Sequence, residues 1–126
     1  MSHHLKAFVR GYFSAISGKA KPATLVNRYV ADSDEELKQH IAFFEAAFPR
    51  YELTVDDIIE EGDKVAVRAT FKGVHKGDLM GIAPTGQHVT LPLFLIYRVA
   101  KDKIVEHWMG VDQMELMKQL KVSEMA

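Results

Sequence analysis

The chain has 126 residues and no cysteine, which removes disulfides, thiolate nucleophiles and cysteine-based metal sites together. That suits a reducing compartment, and a cytoplasmic protein is expected. An excess of either charge is also missing. Sixteen Lys and Arg against 17 Asp and Glu leave a net charge of -1, too weak a basic field to favour nucleic acid. Long apolar runs are absent as well. The longest lies in "VTLPLFLIYRV" at residues 89–99, well short of the roughly 20 residues a helix needs to span a bilayer. The stretch "MSHHLKAFVRGYF" breaks its apolar residues with charge, unlike a signal peptide. No membrane partner is expected. The histidines lack HxH or HExxH spacing, so neither a metal nor a cofactor is expected. "GIAPTG" fits no phosphate-binding pattern and reads as a turn, and no serine nucleophile elbow occurs. Without repeat, linker or low-complexity tract, residues 1–126 read as one domain.

What the chain does contain is periodicity. Leu5, Phe8, Val9, Tyr12, Phe13 and Ile16 form one helical stripe, with Gly18 placed to stop it. Pro22 can open a short helix, "PATLVNRYV". "SDEE" at 33–36 reads as a capping box with Ser33 as N-cap, followed by a stripe of Leu37, Ile41, Phe44 and Phe48 that Pro49 ends. The period then drops to two: Tyr51, Leu53, Val55, and again Val65, Val67, Ala69, Phe71. "KGDLMGIAPTGQ" reads as a loop, "HVTLPLFLIYRV" as a long strand bent or bulged at Pro92, and "KIVEHWMGV" as a last strand before the terminal helix "DQMELMKQL". Helices followed by an antiparallel meander give an α+β fold, a strongly curved sheet wrapped around the helices as a cone. Such a concave interior suits a ligand.

Four segments together resemble a known family: "EGDKVAVR", "GVHKGDLMGIAPTGQ", "YRV" and "KIVEHWMGVD", with "AAFPRYEL" as a weaker fifth. In order and spacing they look like the SnoaL-like polyketide cyclase or ester cyclase family, within the nuclear-transport-factor-2-like superfamily. The resemblance covers most of residues 50–120. It implies a cone-shaped α+β barrel and cofactor-free acid/base catalysis of an intramolecular aldol-type ring closure, on a small apolar carbonyl compound. Related isomerases, dehydratases, hydrolases and plain binding modules share the cone. One departure stands out: "NRYVADSDEE" runs from one helix almost directly into the next cap, where family members carry a longer segment that helps wall the pocket.

The resemblance places the general acid/base at Asp112, assisted by His107 or His75. Burial in an apolar cone would raise a carboxylate toward a useful pKa. Spacing also allows a plain N-cap role for Asp112, with Glu115 three residues on. Strict alternation puts Glu106, Trp108, Gly110 and Asp112 on one face of the last strand, with Val105, His107, Met109 and Val111 on the other. A site shared by His107 and Asp112 therefore requires a bulge, for which Gly110 is the natural place. Candidate substrate contacts are Trp108, Phe94 and Phe71 as pocket walls, Arg68 as an oxygen holder, and Asn27 and Tyr29 at the mouth. Trp108 could equally fill core volume, and Arg68 could pair with strand glutamates. The expected partners are a hydrophobic small molecule and, because "VTLPLFLIYRV" is apolar on both faces, a second copy of the chain.

Overall fold

The computed structural model describes residues 3–120. Helix α1, His3–Ile16, buries Leu5, Val9, Tyr12, Phe13 and Ile16 along the stripe. It stops at Gly18, which takes φ +69° and donates its N–H to the Tyr51 carbonyl at 2.8 Å. Helix α2, Ala23–Tyr29, follows Pro22. A turn of 3₁₀ helix at Asp32–Asp34 leads directly into α3, Glu35–Ala47. The α3 N-cap is Asp34 and not Ser33: Asp34 Oδ1 accepts the Leu37 N–H at 3.1 Å. Ser33 is drawn elsewhere, its hydroxyl donating to the Val105 carbonyl at 3.0 Å.

Four strands follow: β1 Glu52–Glu61, β2 Lys64–Val74, β3 His88–Ala100 and β4 Lys103–Val111. They pair as an antiparallel meander in the order β1-β2-β3-β4, curved around the helices but not closed into a barrel. In β3 every odd-numbered residue from Val89 to Val99 is buried against the helices. Helix α4, Gln113–Gln119, closes one end of the sheet with Leu116, and Leu120 just beyond it is also buried.

Two expectations about the ladder are corrected. Pro92 makes no bulge, for β2 and β3 stay in register from Lys64↔Arg98 to Val74↔His88. Thr90 turns both its backbone groups to the Gln119 side chain. Pro92 shares that direction and lies beyond the last β4 pair, Leu93↔Val111, so its missing N–H deprives no partner strand. Gly110 makes no bulge either, being paired squarely with Phe94. The shift in β4 comes earlier, where Arg98 faces Glu106 and Val99 faces Ile104, leaving Val105 as the extra residue.

The β2–β3 connection, residues 75–87, is tied to the end of α3. The N–H groups of Lys76 and Gly77 both donate to the Ala47 carbonyl, at 3.0 and 3.1 Å, and Leu79 is buried. Gly77 is there because nothing larger fits: a Cβ would lie 2.0 Å from the Ala46 carbonyl oxygen.

Candidate active site

The concave side of the sheet and helices α1, α3 and α4 line a half-open cavity of about 60 Å³. Its walls are aromatic and aliphatic, among them Phe44, Phe48, Phe71, Leu91, Leu93 and Leu116. The volume lies below the few hundred Å³ usual for drug-sized ligands, which points to a small occupant or to walls that give way on binding. Phe71 meets Phe44, Phe48 and Tyr51 at centroid distances of 6.2, 5.2 and 5.0 Å, so this side is a packed aromatic wall.

One end of the cavity is polar. His40 of α3 and Tyr97 of β3 line it together with Tyr12 of α1. Against His40 stands His107 of β4, edge to face with ring centroids 5.6 Å apart and planes at 86°. His107 Nδ1 lies 2.7 Å from Asp34 Oδ2, and the two side chains are 4% and 5% exposed. A carboxylate only accepts, so Nδ1 carries the proton in this bond, and in the neutral ring the lone pair is then on Nε2. The arrangement follows from local structure. The N-cap role fixes Asp34 through Oδ1, which leaves Oδ2 for His107. The strand pleat turns His107 inward with Met109 and Val111, opposite Tyr97.

Burial pushes the Tyr12 hydroxyl well above the ordinary tyrosine value, with Tyr97, Tyr51 and Asp34 adding to the rise. Tyr97 is raised in the same way, by burial first and then by Tyr51 and Asp34. Both therefore stay protonated at neutral pH and can donate hydrogen bonds. At the far side Lys21 supports Tyr51: its Nζ sits 4.0 Å from the ring centroid and donates to the Tyr51 carbonyl at 3.2 Å and to Glu45 Oε1 at 2.8 Å. Burial lowers the pKa of Lys21 despite the Glu45 partner. Among the described residues, no three His, Asp or Glu side chains stand together as metal ligands.

The residues singled out from sequence fall in different places. His107 packs behind the lining residue His40 and against Asp34, and Phe71 lines the cavity. His75 is fully buried in the β2–β3 connection, 5.5 Å from the Phe48 ring, with Nδ1 accepting the Thr85 N–H at 3.2 Å. Asp112 is exposed at the N-cap of α4, its Oδ1 accepting the Glu115 N–H at 2.9 Å. Trp108 and Phe94 stand on the outer face of the sheet, 43% and 57% exposed. Arg68 is on that face too, paired with Asp57 at 2.6 Å. Tyr29 is half-buried against Phe8 and Tyr12. Asn27 is exposed, and its backbone carbonyl accepts from Lys103 at 2.7 Å. Asp34, His40, Tyr12 and Tyr97 were not among the candidates. For His40 a signal existed: it lies three residues after Leu37 and four before Phe44, on the buried stripe of α3.

A curved antiparallel sheet over helices, with an apolar cavity on its concave side and a carboxylate-held histidine packed behind the lining residue His40, defines a curved-sheet α+β protein. The profile of the SnoaL-like polyketide cyclases matches residues 14–120, and the chain belongs to that family. Comparison with curated proteins gives no match. Among solved structures, AclR from Streptomyces galilaeus, described as a candidate hydroxylase, superposes with a TM-score of 0.82 at 26% identity, over 97% of this chain and 83% of its own. IdmH from Streptomyces antibioticus, described as a candidate polyketide cyclase, gives 0.78 at 25% identity over 94% and 99%. TsrD from Streptomyces laurentii gives 0.82 at 22% identity over 95% and 97%, which bears on fold alone. No described helix is long and apolar enough to cross a membrane.

Proposed function

We propose that the chain is a cyclase-type enzyme that moves protons on a small, largely apolar carbonyl compound, closing a ring by an intramolecular aldol-type step. The observation that carries this reading is the Asp34–His107 pair, 2.7 Å apart and almost wholly buried, packed through the His107 ring against His40, which lines the apolar cavity. His107 Nε2 takes a proton from the carbon beside a carbonyl. The carbon attacks a second carbonyl of the same molecule, and the resulting alkoxide recovers the proton from His107. One C–H bond and one C=O π bond are exchanged for a C–C and an O–H bond, with no net oxidation. Asp34 holds the ring in the required tautomer and steadies the imidazolium that forms. The likeness to IdmH supports this choice of reaction.

Asp112 is the competing base. Its exposure and its cap bond to Glu115 favour a structural role. The test is ring closure and deuterium incorporation beside the carbonyl, followed by NMR in D₂O with a set of apolar keto esters carrying a second internal carbonyl. His107→Gln is expected to slow both by about 10²–10⁴-fold. Asp34→Asn, which can still cap α3, should slow them less, and Asp112→Asn should stay within about twofold of the wild type. Loss of turnover in Asp112→Asn with retention in His107→Gln would transfer the proton to Asp112. Tight binding with no product from any substrate would make the chain a binding module.

The chain is also proposed to act as a homodimer through the outer face of the sheet. There Ile59, Phe94, Ile96 and Trp108 are all exposed, an apolar group larger than scattered surface residues account for. The Arg68–Asp57 and Arg98–Glu106 pairs lie among them. A face carrying both signs of charge around an apolar centre can meet its own copy across a two-fold axis.

A further inference from the structure

We infer that His40 is the carbonyl-recognition residue of the cavity, holding the substrate's oxygen through a ring N–H while His107 works on the adjacent carbon. The inference rests on the cavity reading above and adds a residue and a ligand group to it. Three observations converge on His40. It lines the cavity from the middle of α3, among walls that are otherwise aliphatic and aromatic. Its Nδ1 is buried with no hydrogen-bond partner. Its ring meets His107 edge to face at 5.6 Å.

A buried ring nitrogen without a partner costs about 1–3 kcal/mol relative to one that is bonded; His75 Nε2 is in the same state, but of the two rings it is His40 that lines the cavity. Among the described residues, the ring contact of His40 is the edge-to-face one with His107. Its neighbours on the buried stripe, Leu37 and Ile41, are fixed by packing, and a leucine would fill its place without the polar penalty. The contrast with His107 is informative. That ring has its Nδ1 committed to Asp34, which suits a proton acceptor with a set tautomer. His40 has no carboxylate on it in any hydrogen bond or ion pair among the described residues. An imidazole free of such a partner can turn about its side-chain bonds and present an N–H to an oxygen acceptor in the cavity. Tyr12 and Tyr97, kept protonated by burial, flank the same end.

The ligand class follows from this chemistry. It is a compact apolar molecule with a ketone-type oxygen at one end; a carboxylic acid or a sugar would leave several polar atoms unmatched against Leu91, Leu93, Phe71 and Leu116. As the carbon loses its proton, negative charge gathers on that oxygen, and an N–H already aimed at it becomes a stronger hydrogen bond.

The experiment compares cyclohexanone with methylenecyclohexane, near-isosteres differing in C=O against C=CH₂. Both are titrated by NMR against the wild type and His40→Phe, following the methyl groups of Leu91, Leu93 and Val111. The wild type is expected to prefer the ketone. His40→Phe keeps a ring of similar size, and should weaken ketone binding by about five- to tenfold, the worth of one hydrogen bond. Binding of the alkene should stay within twofold. A purely structural role for His40 would weaken both ligands alike, and that outcome overturns the inference, as does a wild type that binds the two equally. If His40→Phe does not fold, His40→Leu gives the same comparison. The proposed reaction is judged separately by His107→Gln: loss of α-carbon exchange in that variant, together with an unchanged ketone preference in His40→Phe, would leave the proton-transfer reading standing and this one refuted. Shifts at none of the three methyl-bearing residues with either ligand would remove the cavity as a site and both readings with it.

Discussion

At the scale of single residues, the tyrosines make the interior titratable from above. Burial raises Tyr12, Tyr51 and Tyr97 above the ordinary tyrosine value in the folded chain. Unfolded, they lose their protons near pH 10. Below that value both states hold the proton and stability is untouched. Above it the unfolded chain binds fewer protons, so stability falls as pH rises, by about 1.4 kcal/mol per pH unit for each such tyrosine. Urea unfolding midpoints between pH 9 and 11.5 should therefore fall with rising pH, and Tyr97→Phe should make the fall about a third shallower. Equal slopes for the two proteins would show that Tyr97 is not held neutral by the fold. Residue pairs such as Asp34 and His107 were out of reach of sequence. They are 73 positions apart, and "ADSDEE" offers several acceptable caps, so spacing pointed to Ser33. Alternation did place His107 opposite Trp108, and the strand obeys it. What no local pattern supplied was the carboxylate waiting on that side, on a different element.

At the scale of elements, periodicity carried most of the information. The buried odd positions of β3 and the stripes of α1 and α3 could be read directly from residue spacing, because one face of each packs on a single core. Ladder irregularities could not. Glycine at 110 permits a bulge and proline at 92 suggests one, yet the sheet is regular at both and shifts at Asp56 in β1 and Val105 in β4 instead. Pairing partners decide such points, and they are set by neighbouring strands and not by the residue itself. The β2–β3 connection gives a test at this scale. Gly77 lies against the carbonyl of Ala46 with no room for a methyl group, and the neighbouring N–H groups anchor the connection to the end of α3. Gly77→Ala must push backbone away from backbone, with an expected loss of about 2–4 kcal/mol in urea unfolding. Gly11→Ala, where a Cβ meets nothing within 4 Å, is the control and should stabilise slightly, since alanine favours a helix interior over glycine by up to about 1 kcal/mol. A Gly77→Ala protein as stable as the wild type would mean that the connection is not seated on α3.

At the scale of the whole molecule, the two sides of the sheet differ in what covers them. The concave side holds the cavity, and the convex side carries Trp108, Phe94, Ile96 and Ile59 in contact with water. Apolar content on both faces of β3 was visible in sequence and led to the expectation of a second copy. The assignment of Trp108 and Phe94 to pocket walls ran against the same alternation, since both lie on the face opposite the buried residues of their strands. With the dimer, Trp108→Glu should give a monomer by light scattering at micromolar concentration while the far-UV circular dichroism keeps its wild-type shape. A wild type that already scatters as a monomer across that range would dismiss the proposal. The substitution is on the outer face, so proton exchange at the cavity should survive it unless pairing props the sheet.

The extra residue at Val105 gives β4 a property that a regular strand cannot have. Ile104 and His107 are three positions apart, an odd interval, and yet both turn toward the interior. In an even-paced strand one of them would be pushed into solvent. The histidine's inward aim is therefore encoded partly as a length of chain and not only as a residue type. Deleting Val105 would leave the two residues an even interval apart, at which a regular strand keeps both inward, so the site is expected to survive that deletion. What would turn the histidine outward is straightening the strand at its present length, with the extra residue drawn into the ladder.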